Sequence, residues 1–459
     1  MPNKTKIFLS FFLAIGLLAI SGCGCKQTVQ NYKVNLEVWG VLDDSDAYAE
    51  IFKNYRDINP NVGEIIYKKQ RIETYQKDLI DALASGKGPD IFLIHNTWLP
   101  MFSNKIVAVP KEILTEQKFR KDFVDVCAND FISDGAVYAV PLSVDSLALY
   151  YNKDLFNAVG ITAPPKTWEE VFALAEKLTK ISSNGEIIQS GAALGTAYNI
   201  NRSTDILNLL ILQNGTPMRD ERGQINFGRD EGAIKALDFY TSFAKSSVPN
   251  YSWNQQMHYS IDAFSEGTLA MMLNYSWQAS VIKSKAPKLN FAAAEVPQIF
   301  SGAPVNYANY WAYAVANNKT VAVDPKSKTA PVSNDIRIAE AWKLLSYLTT
   351  KAEASTVAPA SSTTAVNKPI DLNFDPAGKY LEKTKQPAAR KDLIEKQKDD
   401  VDLSVFAKGN LTAKSWKQID PVATEAIFAE MIDSVNKGAA STSDALRSAG
   451  DRLGRLEIK

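Results

Sequence analysis

Aromatic and polar side chains follow two predicted buried strands at the point where each strand ends. His95, Asn96 and Trp98 come directly after the apolar run at 91–94, and Trp277 follows the apolar run at 269–273. In open α/β sheets, ligands bind beyond the carboxyl ends of the strands. A flat ring covers the C–H face of a sugar, and polar groups bond its hydroxyls. These residues are therefore candidates for a ligand cleft, and their combination of rings and polar groups would suit a polyhydroxylated solute.

Three carboxylates are further candidates for this cleft. Asp43 and Asp44 follow the alternating pattern at 34–38, and Asp145 precedes the apolar run at 147–151. Ionised carboxylates form strong hydrogen bonds with hydroxyl groups. For Asp43 and Asp44 an alternative stays open, which is capping of the helix that follows. The same three carboxylates would also suit an enzyme that cleaves sugars, which needs two of them about 5–10 Å apart.

The elements that position these side chains alternate between strand and helix. Apolar and polar residues alternate at 34–38, a helical apolar face follows at 51–58, and a second helix is predicted at 74–85 before the strand at 91–94. Thr167 and Glu170 have the spacing of a capping box, which predicts a helix through about residue 180. The alternation predicts the α/β class.

The N-terminus has the composition of an export signal. Lys4 and Lys6 precede an apolar stretch at 7–20, which is too short to span a bilayer. The segment ending at Cys23 resembles the lipobox of bacterial lipoproteins, in which the cysteine sulfur takes a lipid before cleavage. This resemblance implies a signal peptide at 1–22, lipidation of Cys23 and a polar tether at 23–33. We expect an exported protein that is anchored outside the cytoplasm.

Composition argues against several other kinds of chemistry. The full chain has 51 basic and 51 acidic residues, and loss of Lys4 and Lys6 leaves 49 against 51, or −2, so nucleic-acid binding is not expected. Two histidines and three cysteines show no metal-ligand spacing, and no Gly-rich phosphate loop occurs. Cys127 is predicted to be a buried thiol. A calcium-like spacing at 371–382 has Pro376 where the loop needs glycine. We therefore expect neither a metal nor a cofactor.

Several motifs occur in an order that resembles the family 1 extracellular solute-binding proteins of ABC importers, the family that includes maltose-binding protein. The motifs are Gly-Pro-Asp-Ile at 88–91, Tyr-Ala-Val-Pro at 138–141, 149–156, 164–170 and 264–277. The resemblance covers nearly the whole mature chain. It implies the type II periplasmic-binding-protein-like α/β fold, which has two lobes joined by crossing hinge strands and a ligand cleft between them. Lobe one would take 34–145 and about 309–350, and lobe two 146–308 and about 351–459.

The resemblance also implies roles for individual residues. Trp98 and Trp277 match cleft aromatics of the family, and Asp145 matches a polar ligand contact at the first crossover. Asn201, Arg202 and Trp416 are matched more loosely. Tyr310 and Trp311 stand before the third crossover, where the family usually has small residues.

The implied partners are a small-molecule ligand, the permease subunits of an ABC importer and the membrane, through the lipid on Cys23. A monomer and no catalytic residue are expected. Two alternatives stay open, namely a lipid-anchored glycoside hydrolase and a binder of a non-sugar solute. No surplus of clustered acidic residues is seen, which argues against a polyamine ligand.

Overall fold

The computed structural model describes residues 32–300, 302–320, 332–351 and 371–456, and every structural statement below refers to these ranges. The predicted signal peptide at 1–22, Cys23 and nearly all of the tether at 23–33 lie outside them. The strands are β1 Val34–Gly40, β2 Val62–Lys69, β3 Ile91–His95, β4 Ile106–Val107, β5 Ile132–Ser133, β6 Ala136–Val137, β7 Ala148–Asn152, β8 Lys180–Ile181, β9 Ile187–Gln189, β10 Met271–Asn274, β11 Phe291–Ala294, β12 Asn306–Tyr307, β13 Trp311–Ala316 and β14 Ala413–Lys414.

Helices cover both sheets and make up most of the C-terminal part. The α-helices are α1 Ala49–Ile58, α2 Tyr75–Ala84, α3 Leu99–Phe102, α4 Glu116–Asp122, α5 Asp125–Phe131, α6 Lys153–Ala158, α7 Trp168–Leu178, α8 Ser203–Gln213, α9 Glu231–Ser242, α10 Ser260–Ser265, α11 Trp277–Lys285, α12 Asn334–Thr349, α13 Pro376–Thr384, α14 Lys391–Gln397, α15 Ser404–Asn410, α16 Pro421–Asn436 and α17 Thr442–Leu456. Short 3₁₀ turns occupy Ser45–Ala47 and Phe227–Arg229.

The first sheet has the strand order β2-β1-β3-β13-β4. Strand β1 runs parallel to β2 and β3, and β13 runs antiparallel to β3, so that Trp311 at the start of β13 lies opposite His95 at the end of β3. Two predicted site residues, His95 and Trp311, therefore lie side by side where β3 ends and β13 begins. In β1 the predicted alternation is confirmed, since Val34, Leu36 and Val38 are buried.

The second sheet is antiparallel and has the order β10-β7-β11. The predicted helix after residue 167 is confirmed: the Thr167 side chain accepts a hydrogen bond from the Glu170 backbone N–H, and the Glu170 carboxylate accepts one from the Thr167 backbone N–H. These reciprocal bonds satisfy backbone donors that the first helical turn leaves free. The helix ends at Leu178, two residues before the predicted end.

Two hydrophobic cores divide the described residues, and the predicted two-lobed α/β architecture is present. Core membership changes between Val144 and Leu147, between Tyr307 and Ala308, and again between Ile394 and Trp416. The first two crossing segments pair with each other, because the Asn309 backbone N–H donates to the Asp145 carbonyl at 3.0 Å. A further pairing joins β12 to β14. The hinge thus consists of adjacent, hydrogen-bonded segments.

The segment from Ala377 to Ile394 packs in the first core, whereas the sequence analysis assigned it to lobe two. Its Arg390 is buried and donates to Asp375, and the Val124 backbone N–H donates to the Ala389 carbonyl at 3.1 Å. The contact between Val124 and Ala389 joins residues more than two hundred positions apart, so no local pattern could predict it.

Three further sequence expectations fall in the described residues. Cys127 is confirmed as a buried free thiol. In the calcium-like segment, Asp375 caps α13 and pairs with Arg390. No helix in the described part combines the length and the apolar character that crossing a membrane requires.

Candidate functional site

A cavity of about 260 Å³ lies between the two cores. The first core and its strand ends contribute Ile72, Gln76, His95, Thr97, Trp98 and Trp311. The crossing segment contributes Ala308 and Asn309. The second core contributes Arg202, Thr204, Asp205, Asn208, Tyr307, Gln418, Pro421, Val422, Thr424, Glu425 and Phe428. Both lobes therefore form the walls, and a molecule in this cavity would contact both.

Aromatic rings form the wall on the first core's side. Trp98 stacks on Phe102, with ring centroids 5.6 Å apart, and meets Trp311 edge-on at 5.0 Å. Trp98 is only 8% exposed and belongs to the first core. The reason is local: α3 begins directly after Trp98 and brings Phe102 against its ring. Trp311 is half-buried and also meets His95 edge-on.

His95 lies beside these rings, and both of its ring nitrogens form hydrogen bonds. Its Nδ1 is 2.8 Å from Thr97 Oγ1, and its Nε2 is 3.1 Å from Asn309 Oδ1. The pKa of His95 is lowered to about 4, chiefly by burial and also by the positive charge of Arg202, while the hydrogen bond with Asn309 opposes this shift. The imidazole is therefore neutral near neutral pH and can exchange hydrogen bonds without carrying charge.

Arg202 supplies the positive charge of the cavity. It precedes α8 in the left-handed conformation, with φ of 62°, and its guanidinium lies 5.6 Å from the Tyr275 ring and 6.0 Å from the Trp277 ring. Its buried Nε has no hydrogen-bond partner within the part of the chain that the structure describes. Burial opposes the charge, but Asp205, Tyr275 and Glu425 outweigh it and raise the pKa of Arg202. The cavity therefore contains a permanent cation with a free donor.

Two carboxylates that sequence reasoning missed line the same cavity. Asp205 Oδ2 accepts from the Tyr275 hydroxyl at 2.8 Å, and burial raises the pKa of Asp205 although Arg202 lowers it. Burial also raises the pKa of Glu425, as does the nearby Asp205 charge. Glu425 forms no hydrogen bond with any other described residue. These groups can accept hydrogen bonds from a bound molecule.

A signal for part of this set was present in the sequence. Asp205 and Asn208 are three residues apart in helix α8, where all positions from 206 to 212 other than 208 are apolar, and this spacing puts them on one helix face. Polar residues inside an apolar run are candidates for a site. Glu425 and Gln418 had no such signal, because polar residues on the surface of an amphipathic segment are ordinary.

Asp43 and Asp44 do not line this cavity, which corrects the prediction for both. Asp43 accepts from the Tyr380 hydroxyl at 2.6 Å and from Gln386 Nε2 at 3.1 Å, and burial raises its pKa. The side chain of Asp44 is 76% exposed and pairs with Lys69. Neither side chain caps the following helical turn or α1, so the alternative reading is wrong as well.

Asp145 and Trp277 lie together at the start of α11, outside the cavity's walls. The Asp145 carboxylate accepts from the Ser276 backbone N–H at 2.9 Å, from the Ser276 hydroxyl at 2.7 Å and from the Ser146 N–H at 2.9 Å. Burial raises the pKa of Asp145 to about 7, although these donors lower it. Trp277 is 45% exposed, and its ring lies 6.0 Å from the guanidinium of Arg202, which lines the cavity.

Asn96 and Tyr310 are buried around Asp130 rather than at the cavity. The Tyr310 hydroxyl donates to Asp130 Oδ2 at 2.7 Å, and Asn96 Nδ2 lies 3.3 Å from the same oxygen. Burial raises the pKa of Asp130 to about 6. The prediction of ligand contact is therefore corrected for both: they alternate along the chain with His95 and Trp311, which do line the cavity.

Asn201 and Trp416 also have partners elsewhere. Asn201 accepts from Asn274 and donates to the Tyr259 hydroxyl, and it does not line the cavity. Trp416 is buried in the second core, where its Nε1 donates to Asn208 Oδ1 at 3.0 Å. Trp416 thus supports a cavity residue from behind, which corrects its assignment as a cleft aromatic. The structure brings together His95, Trp98, Arg202 and Trp311 from the predicted set.

No group of three or more His, Cys, Asp or Glu side chains in the described ranges has the arrangement needed to hold a metal ion. The cavity's chemistry is instead that of neutral amides and hydroxyls, one guanidinium, two carboxylates and several rings. This combination can hold a polar, ring-shaped molecule by hydrogen bonds and ring contacts.

Comparison with known proteins gives a consistent result. The sequence profile of the family described as bacterial extracellular solute-binding protein matches residues 44–355. The maltodextrin-binding protein MdxE of Bacillus subtilis is 28% identical over 311 residues, which is 64% of this chain and 68% of that protein.

Solved structures share the fold. The sugar-binding protein MalE of Xanthomonas citri superposes with a TM-score of 0.70 at 17% identity, covering 93% of this chain and 98% of that one. A solute-binding protein of an ABC transporter from Thermotoga lettingae, bound with α-D-tagatose, superposes with a TM-score of 0.65 at 20% identity, covering 92% and 99%.

Proposed function

Since the chain belongs to the family of bacterial extracellular solute-binding proteins, we propose that it captures a sugar between its two lobes and delivers it to the permease of an ABC importer. The ligand is a mono- or oligosaccharide. The observation that carries this proposal is a cavity between two cores whose walls combine aromatic rings with polar groups that lack partners. The ligands in the names of the maltodextrin-binding and tagatose-bound relatives support the same class of solute.

The unpaired groups suit a sugar's hydroxyls. Among the described residues, Arg202 Nε is a buried donor without an acceptor, and the Glu425 carboxylate accepts no hydrogen bond from another side chain or from the backbone. A sugar hydroxyl can both donate and accept, so one ligand would satisfy both, and hydrogen bonds to charged groups contribute about 1.5–3 kcal/mol each. Trp98 and Trp311 would cover the apolar face of the sugar ring.

Binding would close the lobes over the ligand. The walls come from both cores, so a ligand in the cavity makes its full set of contacts only when both lobes reach it. Such differential contact is what shifts a two-state equilibrium toward the closed form. The hinge would be the paired crossing segments around Asp145 and Asn309. The closed lobes would then present one surface to the permease.

Membership of an extracellular family means that the chain is exported. We propose in addition that Cys23 carries a lipid that anchors the protein to the cell envelope, and that the protein acts as a monomer. Mass spectrometry of the protein from membranes would test the first point: a mature N-terminus at Cys23 with diacylglycerol is expected, and an unmodified cysteine would contradict it.

A thermal-shift screen tests the sugar proposal. The panel would contain tagatose, glucose, galactose, maltose, maltotriose and galactooligosaccharides. A ligand present at about 100 times its dissociation constant adds about 2.7 kcal/mol of stability, which is readily measured as a rise in Tm. Failure of every sugar to raise Tm would contradict the proposal.

Two variants and one assay sharpen this screen. Glu425→Gln should weaken the binding of the best ligand, whereas Asp44→Asn, at an exposed residue away from the cavity, should leave it unchanged. Prolonged incubation followed by chromatography should return the sugar intact. Appearance of cleaved product would favour the glycoside hydrolase instead.

A further inference from the structure

Five polar side chains form a continuous chain of hydrogen bonds from one lobe to the other. Thr97 Oγ1 lies 2.8 Å from His95 Nδ1, and His95 Nε2 lies 3.1 Å from Asn309 Oδ1. Asn309 Nδ2 donates to Asp205 Oδ2 at 3.4 Å, and the same oxygen accepts from the Tyr275 hydroxyl at 2.8 Å. Thr97 and His95 belong to the first lobe, Asp205 and Tyr275 belong to the second, and Asn309 is on the crossing segment.

The proton positions along this chain follow from its carboxylate, Asp205. An ionised carboxylate only accepts hydrogen bonds, so Asn309 must turn its NH₂ group to Asp205 and its carbonyl oxygen to His95. His95 must then carry its proton on Nε2, which leaves Nδ1 to accept from the Thr97 hydroxyl. The lowered pKa of His95 agrees with this neutral form. The chain therefore has one self-consistent arrangement of donors.

Asn309 occupies the centre of this arrangement. Its backbone N–H donates to the Asp145 carbonyl of the other crossing segment at 3.0 Å, so the residue is fixed to the hinge itself. Its side chain uses both of its polar atoms, one for each lobe. Rotation of one lobe about the hinge would move His95 relative to Asp205 and stretch these bonds. The 3.4 Å bond to Asp205 is the longest of them and would break first.

We propose that Asn309 is a positioning residue that sets the angle between the two lobes before any ligand binds. This inference deepens the proposed function, on which it rests for its biological meaning, because the angle of the empty cleft decides how far the lobes must move to close. Loss of the Asn309 side chain would disconnect His95 from Asp205 and remove this side-chain connection between the lobes at the hinge.

The test measures the distance between the lobes in the full, ligand-free chain. Pairs of spin labels, introduced as non-canonical amino acids at exposed Lys53 on α1 and Lys177 on α7, report the distribution of this distance by pulsed electron resonance. Asn309→Ala and Asp205→Asn should each broaden the distribution at least twofold. The double variant should be no broader than the broader single variant, because both changes break the same chain.

A matched control exists within one lobe. Asn290 Nδ2 donates to Asp154 at 2.8 Å, which is also an Asn–Asp pair but does not cross the hinge. Asn290→Ala should leave the distribution unchanged. Asn309→Asp keeps the side-chain volume and places a second carboxylate beside Asp205, so it should broaden the distribution at least as much as Asn309→Ala. Circular dichroism confirms that each variant is folded.

Two results would overturn the inference. One is an unchanged distance distribution in folded Asn309→Ala and Asn309→Asp, and the other is additive broadening in the double variant with Asp205→Asn. The measurement uses no ligand, so it is independent of the sugar screen. Failure of every sugar to bind would contradict the proposed function and leave the lobe distances as they were measured.

Discussion

Replacing two tryptophans separates the energetics of folding from those of binding. Trp98 lines the cavity and is also packed in the first core, whereas Trp277 is almost half exposed. We therefore predict that Trp98→Ala lowers both the free energy of unfolding and the affinity for sugar. Trp277→Ala should leave the free energy of unfolding nearly unchanged and weaken binding.

The expected magnitudes follow from the contacts. Trp98 contacts the rings of Phe102, Tyr75 and Trp311, and its replacement by alanine leaves a cavity, so the loss should be about 3–5 kcal/mol. Trp277 loses its contact with the Arg202 guanidinium, which is worth about 0.5–1 kcal/mol at an exposed site. If its ring also covers a bound sugar on closure, affinity should fall by about 1 kcal/mol or more, which is at least about fivefold.

The free energy of unfolding would be measured by urea titration without sugar. Affinity would be measured by calorimetry with the sugar that raises Tm most in the screen. Trp342→Ala is the matched control, since Trp342 is buried in the first core but does not line the cavity. It should lose stability as Trp98→Ala does and retain the affinity of the wild type in its folded fraction.

Two outcomes would refute this reasoning. Wild-type affinity in Trp277→Ala would show that the exposed ring has no part in binding. An unfolding free energy of Trp98→Ala within about 1 kcal/mol of the wild type would show that its burial contributes little, contrary to the cost expected for a truncated core tryptophan.

Three more predictions concern other parts of the molecule. Arg202→Gly and Arg202→Ala should both weaken sugar binding about tenfold, which corresponds to one lost charged hydrogen bond. In urea titrations the glycine variant should be more stable than the alanine variant by about 1 kcal/mol, because the left-handed backbone at this position strains alanine. Equal stability of the two variants would contradict this. Arg337→Met leaves the buried Asp90 without its guanidinium and should lower the free energy of unfolding by about 3–5 kcal/mol, whereas a loss below about 1 kcal/mol in urea titration would contradict it. The pKa of His95 is lowered from 6.5 to about 4, so the unfolded chain binds more protons than the folded chain between these pH values. The stability of the wild type relative to His95→Gln should therefore fall by up to about 3 kcal/mol as the pH falls through this window. A stability difference that does not depend on pH would refute this prediction.

Local patterns accounted for the elements. The alternation in β1, the capping box of α7 and the apolar runs that became β3 and β10 report interactions within a few residues, and the structure contains all of them. Strand ends were also correct guides to His95 and to the neighbourhood of Trp98. The periodicity of a segment indicates which of its sides is buried, and this information comes from neighbouring residues alone.

Local patterns could not predict which way each side chain at a strand end faces. His95 lines the cavity and the next residue, Asn96, is buried against Asp130, because successive residues at a strand end face opposite sides. Trp416 was matched to a cleft aromatic, but Asn208 holds its ring in the second core. Each outcome depends on a partner far away in the sequence.

The sequence by itself thus determined the α/β class, the order of the elements, the buried Cys127 and the family. Only the tertiary structure decided which polar groups meet in the cavity. Asp205, Asn309 and Glu425 came together because two lobes, each with its own core, meet at a hinge formed by paired crossing segments. The hydrogen bonds from Asn309 to His95 and to Asp205 join residues 214 and 104 positions apart, and no local pattern carries information over that separation.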